Sequence, residues 1–296
     1  MGPYGQRPMT TESRKRTAML TDGSISSRKS YSDVGSQGTK LQGQLLTPIT
    51  VLGVRISRLS LSQAIDAVDA LAQRKDNCAV FILNAHTLNL ACVRPGYRNV
   101  LNSADLVLND GVGLEIAARL QGSYFPANLV GTDFVPELCR LAAKRGYVLY
   151  LLGGAEGVAE KASQALVSRL PGLVVAGWHH GFFDKAACPE VLDAIRRANP
   201  DLLLVGFGNP LQEEWICRFK DELPGCVALG VGALFHFLAG VEPRAPALVR
   251  RMRCEWVFRL LVAPRKKWRR YVLGNPQFLW RICKERFVGA GEGLPQ

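Results

Sequence analysis

The sequence predicts an α/β protein, a mostly parallel sheet with helices on both faces, followed by a basic helical appendage at the C-terminus. Three observations predict it. Short apolar runs rich in β-branched residues alternate with stretches of helical periodicity from Leu46 onward. The runs are near-continuous rather than alternating, the pattern of strands buried on both faces. After Pro246 the strand-like runs stop, and helical pattern and positive charge take over.

The elements follow in order. Ile49–Val54 is β-rich and reads as the first strand, and Leu61–Leu71 repeats apolar residues at helical spacing. Ala79–Leu83 is an unbroken apolar strand, followed by a helical stretch through Leu88–Val93. Strand Leu106–Leu108 leads into helix Gly113–Leu120, with a further helix at Phe134–Ala143. The βα alternation continues with strand Tyr147–Leu152, helix Val158–Leu170, strand Val174–Gly177, helix Val191–Ala198, strand Leu202–Val205, helix Glu213–Phe219 and strand Val227–Leu229. No internal repeat interrupts the series. Met1–Gln44 is rich in Ser, Gly, Thr, Arg and Lys without apolar periodicity, so residues 1–45 are expected to be a disordered tail, 46–245 the core and 246–296 the appendage.

The appendage holds most of the net charge. Between Arg250 and Arg286, twelve Lys/Arg stand against Glu255 and Glu285, which leaves +10 of the chain's +12 in that stretch. Trp256, Phe258, Trp268, Tyr271, Phe278, Trp280 and Phe287 are interleaved with those cations. Cationic heads beside aromatic and aliphatic bodies suit an anionic lipid surface, which attracts the charge while the rings and Leu260–Val262 enter the acyl boundary. Nucleic acid would attract the same charge, and a solvated basic face would carry it with no partner. No apolar stretch follows the N-terminal basic residues, so no secretory signal is expected. The longest apolar run, Val227–Val241, is broken by His236 and by glycines and is too short to span a bilayer. Attachment to a membrane would therefore be peripheral. Eight cysteines without a C-x-x-C pair indicate neither a zinc ribbon nor a disulfide framework, and a cytoplasmic setting is expected.

In parallel sheets ligands gather beyond the carboxyl ends of the strands. Four loops carry polar residues or glycines there: Asn84-Ala85-His86-Thr87, Asn109-Asp110-Gly111-Val112-Gly113, Gly153-Gly154-Ala155-Glu156-Gly157 and Gly206-Phe207-Gly208-Asn209-Pro210-Leu211-Gln212-Glu213. The glycine clusters allow either a tight turn or the approach of a phosphate to a helix N-terminus, and neither matches a dinucleotide fingerprint or a triphosphate loop. Pro210 presets a helix start, which brings Gln212 and Glu213 into its first turn. Asp110 reads as an acid/base group at a cleft or as the N-cap of the next helix. His86 reads as a base or as a polar residue closing its strand. No His pair has ligand spacing and no D-x-D motif is present, so neither a metal nor another cofactor is expected.

Taken together and in order, these motifs resemble the WecG/TagA/CpsF glycosyltransferase family over about Ile49 to Tyr271. The elements are Asn84-Ala-His, Ala104-Asp105, Asp110-Gly-Val-Gly, Gly131-Thr132-Asp133, Leu152-Gly-Gly, Gly206-Phe-Gly-Asn-Pro-Leu-Gln-Glu-Glu-Trp215, Gly230-Val-Gly232, Arg244-Ala-Pro246, Glu255-Trp256 and Pro264-Arg265. The resemblance implies a Rossmann-like core with a membrane-touching appendage that helps close the site. It implies inverting, metal-independent transfer of a sugar from a UDP-sugar to an undecaprenyl-diphosphate-linked sugar, at the cytoplasmic face of the inner membrane. The donor sugar is left among N-acetylmannosamine, its uronic acid and glucose. Asp110 would be the catalytic base. Asn84, His86, Gly208, Asn209, Gln212 and Arg244 would contact substrate, and Trp256, Arg259 and Arg269 of the appendage would stabilise departing UDP. Two positions depart from the family pattern, Ile82 for Thr and Lys266 for Arg, and Lys lacks the planar fork that grips phosphate bidentately. Nucleic acid is not an expected partner, and formation of a homo-oligomer is left open. A nicotinamide-dependent oxidoreductase, the main rival with the same βα pattern, would need the G-x-G-x-x-G fingerprint that is missing.

Overall fold

The computed structural model describes residues 46–291, apart from the side chains of residue 266 and residues 287–291. The expected disordered tail, and the side chains of Lys266 and Phe287, lie outside the described residues. The chain opens with a hairpin, β1 (Leu46–Val51) and β2 (Val54–Arg58), rather than the single strand expected over Ile49–Val54. Leu52 and Gly53 both take positive φ, 51° and 77°, the type I′ geometry that matches the twist of a two-residue hairpin. Apolar runs alone do not show that reversal.

The main sheet has six strands, all parallel. They are β3 (Cys78–Leu83), β4 (Leu106–Asn109), β5 (Val148–Gly153), β6 (Val174–His179), β7 (Leu202–Gly206) and β8 (Val227–Gly230), in the order β4-β3-β8-β7-β5-β6. Every residue of β3, β4, β7 and β8 is buried, so both faces of these strands are covered. Ala79, Phe81 and Leu83 on one face of β3 join the main hydrophobic cluster, and Val80 and Ile82 are buried on the other. β6 is an edge strand whose residues alternate between exposed and half-buried.

Helices α1 (Leu61–Gln73), α2 (Ala85–Val93), α3 (Pro95–Asn102), α4 (Val112–Leu120), α5 (Gly131–Arg145), α6 (Val158–Arg169), α7 (Pro189–Ala198), α8 (Leu211–Phe219) and α9 (Leu234–Leu238) connect and cover these strands. Helix α3 escapes the apolar pattern because only Tyr97 and Leu101 of it are buried, and Pro95 at its first turn is its sequence mark. Register places the site. Leu83 pairs with Asn109, Phe81 and Val205 both pair with Gly230, and Gly153 pairs with Gly206. The carboxyl ends of the strands therefore share one edge. The order reverses between the β3–β4 pair and the β5–β6 pair, with β8 and β7 filling the centre, and such a switch opens a crevice.

After Pro246 the described chain is helical, as the sequence predicts. It runs through α10 (Ala247–Arg251), α11 (Glu255–Val262), α12 (Pro264–Trp268), a π-helical turn (Arg269–Leu273) and α13 (Gly274–Gly291). Phe278 and Ile282 of α13 are each 1% exposed and belong to the same hydrophobic cluster as Phe81 and Leu83. Asn89 of α2 donates to Gly274 O at 2.7 Å, and Arg281 donates to Asn89 O at 3.0 Å and Oδ1 at 2.8 Å. A Cβ on Gly113 would stand 3.1 Å from Ala85 Cβ and 3.6 Å from Phe278 Cε1. The starts of α2 and α4 thus pack tightly together beneath α13.

Candidate active site

A cavity opens at the carboxyl edge where β4, β3, β8 and β7 end. Asn84, Asp110, Thr132, Asn209, Gln212, Phe237, Arg259 and Arg270 are among the residues that line it. Sequence reasoning named five of these: Asp110, Asn84, Asn209, Gln212 and Arg259.

Asp110 follows β4, and its amide donates to Leu83 O at 2.7 Å, which ties it to the end of β3. It does not cap α4. That position belongs to Gly111, at φ 92°, with no side-chain cap. Gly111 N donates to Asn128 Oδ1 at 2.7 Å, Asn109 Nδ2 to Ala127 O at 2.8 Å, and Leu129 N to Asn109 O at 3.0 Å. Three hydrogen bonds to residues 127–129 thus fix the loop that carries the carboxylate. The half-buried Asp110 carboxyl accepts no hydrogen bond from the described residues. Burial pushes it up to about 6; Arg259 and Arg270 pull it down, and Glu255 and Asp133 add to the rise. A carboxylate poised near neutral pH beside a cavity is suited to accepting a proton.

Asn84 caps α2, its Oδ1 accepting from His86 N at 3.1 Å and Thr87 N at 3.3 Å, so its Nδ2 is the group left for a ligand. His86 sits in the first turn of α2 but not in the cavity lining, and burial followed by Arg270 lowers its pKa to about 4. Its imidazole is neutral at physiological pH.

Gln212 is 1% exposed, and its amide makes three hydrogen bonds. Oε1 accepts from Gly208 N at 3.2 Å and Gly232 N at 2.9 Å, while Nε2 donates to Glu213 Oε1 at 2.7 Å. The Gly208 amide thereby donates to Gln212. The neighbouring glycines are there for close packing. A Cβ on Gly153 would lie 2.5 Å from Gly206 O, and one on Gly230 would lie 2.8 Å from Gln212 Nε2. Gly208 and Gly157 instead take positive φ, 80° and 75°, with open space where a Cβ would stand. A different helix start faces the cavity, because Val130, Gly131 and Thr132 at the N-terminus of α5 line it. First-turn amides are unpaired by the helix itself and carry its positive dipole end.

Arg244 does not line the cavity. It pairs with Asp133 and donates to Thr132 Oγ1 at 3.2 Å, which braces that helix start instead. Asp105 precedes β4, at the opposite edge of the sheet, where it pairs with Lys220 at 2.5 Å and accepts from Ala79 N at 2.7 Å.

From the C-terminal segment, Arg259 reaches the cavity from α11, its Nη2 2.6 Å from Glu255 Oε1 and its guanidinium 4.9 Å from the Phe237 ring centroid. Trp256 packs on Tyr271, 6.2 Å between centroids, outside the lining. Arg269 is exposed, with its guanidinium over the Trp268 ring. The second cavity cation is its neighbour Arg270. Both lie in the π-helical turn, whose wider winding shifts which residue faces inward; such turns recur at functional sites and leave no mark in α-helical periodicity. Among the described residues no group of three or more His, Cys, Asp or Glu is arranged to hold a metal ion.

Residues 49–291 match the model of the glycosyl transferase WecG/TagA/CpsF family. The chain is similar to the N-acetylglucosaminyldiphosphoundecaprenol N-acetyl-beta-D-mannosaminyltransferases of Staphylococcus aureus strains NCTC 8325 / PS 47, COL and MRSA252. Identity is 28% over 242 residues, covering 80% of this chain and 93% of each relative. A cavity at the switch of a parallel sheet, with one carboxylate opposite two arginines, accords with a match spanning nearly all the described residues: the chain belongs to the WecG/TagA/CpsF family of glycosyl transferases.

Proposed function

We propose that this chain transfers N-acetylmannosamine from its UDP conjugate to N-acetylglucosaminyl-diphosphoundecaprenol, with inversion, in building a cell-surface polymer. The names of the relatives motivate the sugar and the acceptor. The observation that carries the chemistry is Asp110 in one cavity with Arg259 and Arg270. In this reading Asp110 takes the proton of the acceptor hydroxyl as that oxygen attacks the anomeric carbon and the bond to UDP breaks. The leaving diphosphate gains negative charge, which Arg259, Arg270 and the α5 N-terminus offset in a partly dehydrated site. No metal is assigned to the step. Single displacement converts the α-linkage of the donor to a β-linkage.

We place the reaction at the cytoplasmic leaflet. No helix of the described residues is long and apolar enough to cross a membrane. Leu248, Met252, Leu261, Val272, Leu273 and Trp280 of the C-terminal segment are more than half exposed, amid its cations. That combination supports peripheral docking on anionic lipid. The test is a panel of UDP-sugars offered with a lipid-diphosphate-linked N-acetylglucosamine acceptor, read by UDP release and product mass. UDP-N-acetylmannosamine is expected to give a disaccharide-lipid. Transfer from another UDP-sugar in its place would overturn the assigned donor, and no transfer from any would overturn the reaction.

A further inference from the structure

Glu213 is fully buried and forms no ion pair with any described residue. It is held by neutral donors alone: Tyr97 Oη donates to its Oε2 at 3.0 Å, and Asn209 Nδ2 and Gln212 Nε2 donate to its Oε1 at 2.5 and 2.7 Å. Burial pushes its carboxyl up, and the bonds from Gln212, Tyr97 and Asn209 oppose the rise. Tyr97 is itself 2% exposed and comes from α3, which the cavity does not touch.

A carboxylate only accepts hydrogen bonds, so it dictates which end of each amide turns toward it. Gln212 must present Nε2, which swings its Oε1 onto the amides of Gly208 and Gly232 and so joins the loops after β7 and β8. Asn209 must present Nδ2, which leaves its Oδ1 without a partner among the described residues, on a side chain that lines the cavity. We propose that Glu213, pinned by Tyr97, is a positioning residue for this reaction: it orients both amides, so that Asn209 offers Oδ1 as an acceptor to a hydroxyl of the bound sugar. The proposal rests on the transfer reaction argued above.

The experiment is steady-state transfer by the full-length protein with UDP-N-acetylmannosamine and the lipid-diphosphate acceptor. Glu213→Leu removes the acceptor and is expected to lower kcat/KM on the order of 10²-fold. Glu213→Gln is expected to recover most of that loss, since its carboxamide oxygen can take both amides while its nitrogen donates to the Tyr97 hydroxyl. The acid limb of its pH profile should stay where the wild type has it. Because Glu213 acts through Asn209, the Glu213→Leu and Asn209→Ala losses should combine to less than their product. Wild-type kinetics in Glu213→Leu, or fully multiplicative losses, would overturn the proposal. So would a Glu213→Gln variant as impaired as Glu213→Leu with its acid limb gone, because Glu213 would then be titrating in the reaction. Should Glu213→Leu not fold, Tyr97→Phe carries the test. It is expected to lose roughly three- to tenfold in the wild-type background and less in Asn209→Ala, and equal losses would overturn the proposal. An inactive wild type overturns the reaction itself, whereas an active wild type indifferent to these changes overturns only the role of Glu213.

Discussion

Asp110→Asn separates the proposed catalytic use of Asp110 from its effect on stability. The substitution keeps the shape of the side chain and removes its basicity, so turnover should fall on the order of 10²–10⁴-fold. Stability should move the other way. Burial lifts the Asp110 carboxyl from 3.8 to about 6, so the folded protein binds this proton more tightly than the unfolded chain does. Below pH 3.8 both states are protonated and the group is neutral in the balance. As pH rises from 3.8 to the folded value near 6 the wild type loses stability, and above that value the loss is complete. At 1.36 kcal/mol per unit, the ionised carboxylate costs on the order of 2–3 kcal/mol at neutral pH. For a domain of this size that is roughly 5–10 °C in Tm. Thermal unfolding of wild type and Asp110→Asn at pH 7.5 and pH 4.5 is the assay. The variant is expected to melt higher at pH 7.5, with the gap narrowed to roughly a third at pH 4.5, which lies between the unfolded and folded values. A variant no more stable at pH 7.5 would refute the burial argument, and near-normal turnover would remove Asp110 from the mechanism.

Other outcomes follow from the same geometry. Arg259→Ala and Arg270→Ala should each lower kcat about 10–10³-fold even on a short water-soluble acceptor, with a larger loss at Arg270 than at the exposed Arg269; a reversed order at 269 and 270 would contradict the cavity assignment. Replacing exposed Leu261 and Trp280 by Asp should cut cosedimentation with anionic liposomes while sparing activity on the soluble acceptor. Wild-type binding should weaken as salt shortens the Debye length from about 10 Å at 0.1 M, and salt-independent binding would argue against headgroup attraction. If, as proposed, two arginines meet the leaving diphosphate, transfer should survive excess EDTA; loss restored by Mg²⁺ would show that a metal ion does so.

The parallel sheet was legible because buried β-runs carry a dense local signal, and the motif order named most of the cavity. Three things were not legible. The β1–β2 reversal at Leu52-Gly53 depends on positive φ, which an apolar run does not encode. Arg270 lines the cavity beside the expected Arg269, and no motif in the sequence marks it. Glu213 and Tyr97 matter through buried bonds between distant segments, and the sequence shows a carboxylate and a phenol without their partner. The basic C-terminal stretch reads as a separable appendage from charge alone, yet Phe278 and Ile282 are built into the main core. A cut before Arg250 would expose that core, since losing one buried phenylalanine side chain alone costs about 3–5 kcal/mol. Point substitutions are therefore the cleaner probe of this segment.

Direct displacement with Asp110 as base, as proposed, fixes the anomeric configuration of the product. With UDP-α-N-acetylmannosamine and the lipid-diphosphate acceptor, NMR of the isolated disaccharide should show a β-linkage formed by the wild type and little product from Asp110→Asn. An α-linked product would mean retention, and would contradict single displacement with Asp110 as its base.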